Sequence, residues 1–139
     1  MSDNHEHELV ARLYANYNAR SLEGWLGMFS DDAVWTNVPT GETYTGPGEQ
    51  EQNYLAWSTP FPAGQCEDLV IRAGDGFAVA EFNGVGVHEG PLATPAGEVA
   101  PTGRRTSLAF CDVHTIASGK IVATHRYWDL AGAAEQLGL

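Results

Sequence analysis

The chain has 139 residues, 43% hydrophobic and 18% charged, which suits one globular domain spanning 1–139 with a core of its own. Seven basic against eighteen acidic residues leave a formal charge of −11. That balance excludes nucleic acid or an anionic membrane as partner, since either needs a basic patch. Cys66 and Cys111 are too few and too irregularly placed for a disulfide framework or a CxxC metal site. Both read as reduced thiols, with Cys111 in the core of a buried strand. The first eight residues lack the basic and apolar regions of a signal peptide, and no apolar run approaches the ~20 residues of a membrane span. A cytoplasmic location is expected.

Residues 4–19 predict an amphipathic helix, with Leu9, Val10, Leu13, Tyr14 and Tyr17 at helical spacing. Asp3 and Glu6 suggest a capping box at its start. His5 and His7 lie two apart, which on a helix points them to different faces and argues against a metal pair. A shorter helix follows at Leu22, Trp25, Leu26 and Phe29. Ser30-Asp31-Asp32 ends it, and Ala33–Val38 reads as a strand. Pro39-Thr40-Gly41 turns the chain into a short edge strand or loop reaching Gly46. Pro47 suits the first turn of a third helix, which runs to about Trp57 before Pro60 and Pro62 forbid more.

From residue 67 the period changes to two. Asp68–Ala73 and Phe77–His88 read as strands joined by Gly74-Asp75-Gly76, a Gly- and Pro-rich loop covers 89–103, and strands follow at 104–116 and 120–130. Ala131–Leu139 adds a helical turn. Helices followed by a mostly antiparallel sheet define an α+β domain. Along 77–88 one face carries Ala78, Ala80, Phe82, Gly84, Gly86 and His88, nearly stripped of side chains at its middle. Such a face packs tightly on a curved sheet, leaves a cavity, or does both.

The last hairpin, Leu108–Leu130 around Ser118-Gly119, sets Asp112, His114, His125, Arg126 and Asp129 among apolar residues. Ionisable groups in an apolar frame are costly unless paired or used, so this hairpin is the expected active wall. A two-residue loop pairs Ala117 with Lys120 and sets Asp112 opposite His125. A three-residue loop pairs Ile116 with Lys120 and sets Asp112 opposite Thr124, diagonal to Arg126. A slip of one residue flips a strand's whole set of side chains.

The order of Asn18-Ala19-Arg20, Met28-Phe29-Ser30-Asp31-Asp32-Ala33, Tyr44-Thr45-Gly46-Pro47, Gly86-Val87-His88-Glu89-Gly90, Pro101-Thr102-Gly103-Arg104 and Gly119-Lys120-Ile121 resembles the SnoaL-like polyketide cyclases of the nuclear transport factor 2-like superfamily. The resemblance covers Leu9 to Leu139. It implies a cone-like α+β barrel, with three N-terminal helices packed on a curved, mostly antiparallel sheet. It also implies a homodimer through the sheet's outer face, and it favours the second hairpin register. The cyclase acid/base aspartate matches Arg126 here, and its partner histidine matches Asp112. Trp35-Thr36-Asn37 is similar to the water-holding segment of limonene epoxide hydrolase, but that enzyme's catalytic triad matches Gly84, Gly86 and Arg126. In ketosteroid isomerase the oxyanion aspartate matches Asp112, the base matches Asn37, and the oxyanion tyrosine falls at Leu13, beside Tyr14. That enzyme keeps its oxyanion aspartic acid protonated so that it can donate a hydrogen bond. With an asparagine at the base position, its chemistry does not transfer unchanged.

The resemblance therefore implies a cofactor-independent enzyme, of the cyclisation, isomerisation or hydration (lyase) class, acting on an oxygenated apolar small molecule. Asp112 is the expected proton-transfer group, Arg126 its partner or oxyanion stabiliser, His88 a second acid/base and Asn37 the orienting group. Tyr14, Tyr17, Trp35, Phe82, Gly84, Gly86, Leu108, Phe110 and Trp128 are expected to line the pocket, with Trp57 and Phe61 at its mouth. Blander readings exist. Asp112–Arg126 serves equally as a structural ion pair, and Trp35 and Trp128 as core. His88 also suits a satisfied strand edge. His114 lies near the turn, where solvent exposure is expected. His125, Tyr127 and Asp129 belong to the outer face, and Arg104 and Arg105 to the surface. No metal-ligand spacing or phosphate loop is present. A non-catalytic ligand-binding module is the alternative from another class. A purely structural dimer module would require a filled cavity beside Gly84 and Gly86.

Overall fold

A computed structural model describes residues 2–139, with side chains from residue 5 onward. Helix α1 (Ser2–Asn18) buries Leu9, Val10, Leu13 and Tyr14, one stripe at helical spacing. The capping-box expectation rests on Asp3, whose side chain lies outside the described residues. Glu6 instead accepts the Gly76 N–H of a strand turn at 2.8 Å, which ties the helix start to the sheet. Ser21 caps α2 (Leu22–Leu26) by accepting the Gly24 N–H.

Strand β1 (Phe29–Asn37) begins four residues before the predicted start and takes Phe29 away from the helix. The reason is pairing: Phe29 lies beside Ile121, and the Ile121 N–H donates to the Met28 carbonyl. The short strand β2 (Glu42–Thr45) leads into α3 (Gly46–Ser58), with Pro47 in its first turn as expected.

Strands β3 (Gln65–Gly74) and β4 (Phe77–Val87) form a hairpin. The start of β3 is held by Asn18, which accepts the Cys66 N–H at 2.8 Å and donates to the Cys66 carbonyl at 3.0 Å. Arg20 grips the preceding loop through the carbonyls of Phe61, Pro62 and Gly64. These local clamps explain why β3 starts before Asp68: the strand is set by hydrogen bonds from the end of α1, which period alone does not reveal.

The predicted loop over 89–103 contains a small hairpin, β5 (Leu92–Thr94) with β6 (Gly97–Val99), which forms a sheet of its own. Strands β7 (Arg105–Ala117) and β8 (Lys120–Trp128) complete the main sheet, and α4 (Leu130–Leu137) follows as a full helix capped by Asp129. The order is β2-β1-β8-β7-β4-β3, antiparallel except for β1 beside β8. The fold is thus α+β as expected, with four helices on a curved sheet. The sheet stays open, ending at β2 and β3, so the barrel does not close.

The β7–β8 register differs from both predicted ones. Ser118 and Gly119 both have positive φ, as a two-residue primed turn requires, and Ala117 pairs with Lys120. Ile116 then pairs with Ile121, but Thr115 pairs with Ala123, so Val122 is an extra residue bulged out of the ladder. The bulge reverses the parity of β8. Ile121 faces inward before it, and Thr124 is the next fully buried position after it. Asp112 therefore lies directly opposite Arg126.

Candidate functional site

The inner face of the hairpin carries a continuous chain of side chains. Arg126 grips Asp112 with a two-pronged fork, Nε to Oδ1 and Nη2 to Oδ2, each at 2.8 Å. Such paired charge-assisted bonds fix both partners. Tyr14 donates its hydroxyl hydrogen to Asp112 Oδ2 at 2.7 Å. Its oxygen also lies 2.8 Å from His114 Nε2, and His114 Nδ1 lies 2.8 Å from the Thr124 hydroxyl. The tautomer follows by elimination. An ionised Asp112 can only accept, so Tyr14 donates to it and must accept from His114 Nε2–H, leaving Nδ1 to accept from Thr124.

Electrostatics agree with this assignment. Burial pushes the Asp112 carboxyl up, but the Arg126 charge and its hydrogen bonds outweigh burial, and the carboxyl titrates below its usual range. Burial opposes the Arg126 charge as well, and Asp112 more than offsets it, so the guanidinium stays protonated. Burial lowers His114 to about 4 against the partial opposition of Asp112, which keeps its ring neutral at pH 7. Burial and the Asp112 charge both raise the Tyr14 phenol. Asp112, His114 and Thr124 are at most 1% exposed. The expectation of a solvent-exposed His114 is thus corrected: α1 lies over this stretch of the sheet and Tyr14 covers the ring. Cys111 is corrected the other way. It sits on the opposite face of β7 and is partly exposed.

In front of this chain lies a cavity of about 60 Å³ between the sheet and helices α1, α2 and α3. Among the described residues, Arg126 is the one charged side chain in its wall. Its guanidinium carbon stands 4.7 Å from the Trp35 ring centre, 4.9 Å from Phe110, 5.7 Å from Phe82 and 5.9 Å from Trp57. With Nε and Nη2 spent on Asp112, its Nη1 makes no hydrogen bond to the described residues. The buried Trp35 Nε1–H likewise has no acceptor among them. An apolar chamber with unused donors is thus closed on one side by a guanidinium whose charge is balanced from behind.

Of the residues placed in the pocket from the sequence, Tyr14, Tyr17, Trp35, Phe82, Phe110 and Leu108 line the cavity, as do Trp57 and Phe61, whereas Trp128 does not. Gly84 and Gly86 line it too, and their lack of side chains also permits close packing. A Cβ on Gly84 would stand 2.6 Å from the Phe110 ring, and one on Gly86 would stand 3.1 Å from Gly64 Cα. Asp112 is outside the wall, behind Arg126 and Tyr14. Asn37 faces an outer groove rather than the cavity and accepts the Trp128 indole N–H, so both stand at the rim.

His88 continues the inward row of β4 but does not line the cavity. Its Nδ1 accepts the Thr102 N–H at 3.1 Å, which places the ring proton on Nε2, a buried donor without a partner among the described residues. The expected place of His88 in the pocket wall is therefore corrected, and the reading as a satisfied edge residue holds for Nδ1 but not for Nε2.

Sequence reasoning missed Leu13, Trp25, Asn53, Gln65, Cys66 and Thr106 in the cavity wall. The thiol of Cys66 and the phenol of Tyr17 are each pushed up to about 12 by burial. The alternation of β3 points to Cys66 only once its start at Gln65 is recognised. His125 and Tyr127 are exposed on the outer face, and Arg104 and Arg105 lie on the surface, as expected.

An open, curved α+β sheet holding a polar chain behind a small cavity defines a class of small-molecule-binding folds with many chemistries. Within that class the chain belongs to the SnoaL-like domain family, whose pattern matches residues 10–124. A candidate polyketide cyclase of Pseudomonas putida is 26% identical, with a TM-score of 0.80 over 93% of this chain and 95% of that one. AclR, a candidate hydroxylase of Streptomyces galilaeus, is 20% identical, with a TM-score of 0.82 over 99% and 83%. A Catenulispora acidiphila protein with a ketosteroid isomerase-like fold, solved with trimethylamine, is 14% identical, with a TM-score of 0.78 over 95% and 93%. No curated protein matches the sequence. Among the described residues no helix is long and apolar enough to cross a membrane.

Proposed function

We propose that the chain is a cofactor-independent enzyme of the cyclisation, isomerisation or hydration class, acting on a carbonyl-bearing, largely apolar small molecule. One observation carries this reading: the Arg126 guanidinium, anchored by Asp112, offers free Nη1 donors to an aromatic cavity. A carbonyl oxygen accepting from Nη1 would gain stabilisation as it becomes an enolate, because the donor is already fixed and poorly solvated. Asp112 is the proton-transfer group, reached through Tyr14. The substrate's proton passes to the Tyr14 oxygen as the Tyr14 hydrogen moves to Asp112 Oδ2. Negative charge building on the substrate oxygen beside Arg126 raises the basicity of Asp112 at the moment it is needed.

Deuterium exchange at the α-carbon of simple ketones, followed by NMR in D₂O, tests this. Arg126→Lys keeps a cation for Asp112 but loses the second donor edge, and exchange is expected to slow by roughly 10²-fold. Exchange unaffected by the substitution would sink the proposal. A second reading, a non-catalytic ligand-binding module, is favoured by one fact: the titratable groups lining the cavity are shifted away from neutrality. Tyr17 and Cys66 rise to about 12, while Tyr14 and Arg126 also rise. Arg126-dependent ketone binding without any exchange would select it.

The outer sheet face supports a homodimer in the same proposal. Phe77, Val70 and Tyr127 on that face are 45%, 47% and 47% exposed. Sedimentation velocity is expected to give a dimer that Phe77→Glu with Tyr127→Glu converts to monomer. A wild-type monomer at tens of micromolar (about 50 μM) would remove the dimer from the proposal.

A further inference from the structure

The cavity is too small for the molecules that its chemistry suits. A volume of about 60 Å³ admits only about four water-sized groups, a carbonyl with its nearest atoms. Immediately outside lies a groove of about 1120 Å³ between α3, the β5–β6 hairpin and α4. The two spaces share walls: Trp57, Phe61, Thr106 and Leu108 line both. Their linings differ in kind. The cavity is walled mainly by aromatic rings, with Asn53, Gln65 and Thr106 as neutral polar residues and Arg126 as its one charged group among the described residues. The groove is mainly aliphatic, with Leu55, Leu92, Val99, Leu130 and Leu137 on its sides, and its charged residues are Glu42 and Glu98.

We infer that cavity and groove form one bipartite site for an elongated amphiphile, with a small neutral carbonyl head at Arg126 and an aliphatic tail along the groove. This rests on the role of Arg126 proposed above and extends it to the rest of the ligand. The aliphatic lining makes the tail apolar. The absence of a basic residue from the groove's lining, among the described residues, argues against an anionic occupant there. The head is neutral because Asp112 already balances the Arg126 charge. A carboxylate would add a buried negative charge without a counterion, whereas a carbonyl only accepts a hydrogen bond. The β5–β6 hairpin fits a covering role, since among the described residues its strands pair only with each other and it borders the groove.

Binding of straight-chain methyl ketones from butan-2-one to decan-2-one, followed by calorimetry and by tryptophan fluorescence, tests the inference. Each added methylene should tighten Kd by about fourfold until the groove is filled. Decan-2-one should bind more tightly than decanoate. Leu92→Glu places a carboxylate on the groove side of the hairpin and should abolish the gain with chain length. Leu130→Glu, at an exposed position on α4, should do the same and guards against a folding defect peculiar to the hairpin. Arg126-dependent binding with no dependence on chain length would overturn the bipartite site while leaving the proposed role of Arg126 standing. Chain-length-dependent binding indifferent to Arg126→Lys would overturn the head assignment and the proposed function together. Tighter binding of decanoate would overturn the neutral head. If Leu92→Glu turned a dimer into a monomer without changing ketone affinity, the groove would belong to a second copy and the inference would fall.

Discussion

Asp112→Ala is expected to destabilise the protein by about 3–5 kcal/mol, the cost of leaving one member of a buried ion pair unpaired. Asp112 is fully buried and the Arg126 side chain is 12% exposed, so water cannot easily take the place of the lost carboxylate. The damage spreads beyond the pair. Tyr14 loses the acceptor of its hydroxyl hydrogen and His114 loses a fixed partner, so further buried polar groups must rearrange. The double variant Asp112→Leu with Arg126→Met removes both charges and should recover most of the loss, since paired buried charges contribute little net stability over apolar groups of similar size. Urea denaturation of the three proteins measures both numbers. A single-variant loss below about 1 kcal/mol would mean that the fork does not hold Arg126 in place. Recovery in the double variant with ketone binding abolished would separate the pair's structural role from its functional one.

The two residues of that pair differ in how they can be read from the chain alone. The hairpin is legible as the wall because charged groups among Phe110, Trp128 and their neighbours stand out from a period-two pattern. The inward placement of Asp112 follows from the alternation of its strand, whereas that of Arg126 is implied only by the family resemblance, through a register that the structure does not have. Counting alternately from Ile121 puts Ala123, His125 and Tyr127 inside. The bulge at Val122 reverses this, and nothing in Lys120-Ile121-Val122-Ala123 distinguishes it from a regular strand. His114 escapes the sequence reading because nearness to a turn says little about burial when a helix from the other end of the chain lies above it. Tyr14 and His114 are 100 residues apart in the chain, and only the tertiary fold joins them. The β5–β6 hairpin is hidden by its Gly and Pro content, which describes a loop as well as it describes three-residue strands. Aromatic pocket residues are easier to find than Cys66 and Thr106, since a large apolar side chain shows its burial in the pattern and a small one does not.

The buried His114 makes a second large effect depend on pH. In the unfolded chain its ring titrates near 6.5, whereas burial lowers it to about 4 in the fold. Between these values the unfolded state binds a proton that the native state refuses. Stability therefore rises with pH across this window and falls as the pH drops from 6.5 toward 4. The full difference is roughly 3 kcal/mol, reached near pH 4, below which this group adds no further slope. Asp112 acts in the same direction at lower pH: its folded carboxyl titrates below its unfolded value, so the stability it contributes is lost as acid protonates it. The two groups meet at Tyr14. A protonated His114 could still donate through Nε2, but its Nδ1 could no longer accept from Thr124, and the hydroxyl would have to turn away inside a closed site. His114→Gln offers an amide that does not titrate and should flatten the stability profile between pH 4 and 6.5. Denaturant midpoints at half-unit pH intervals would show it. An unchanged slope in the variant would assign the acid sensitivity to carboxylates alone.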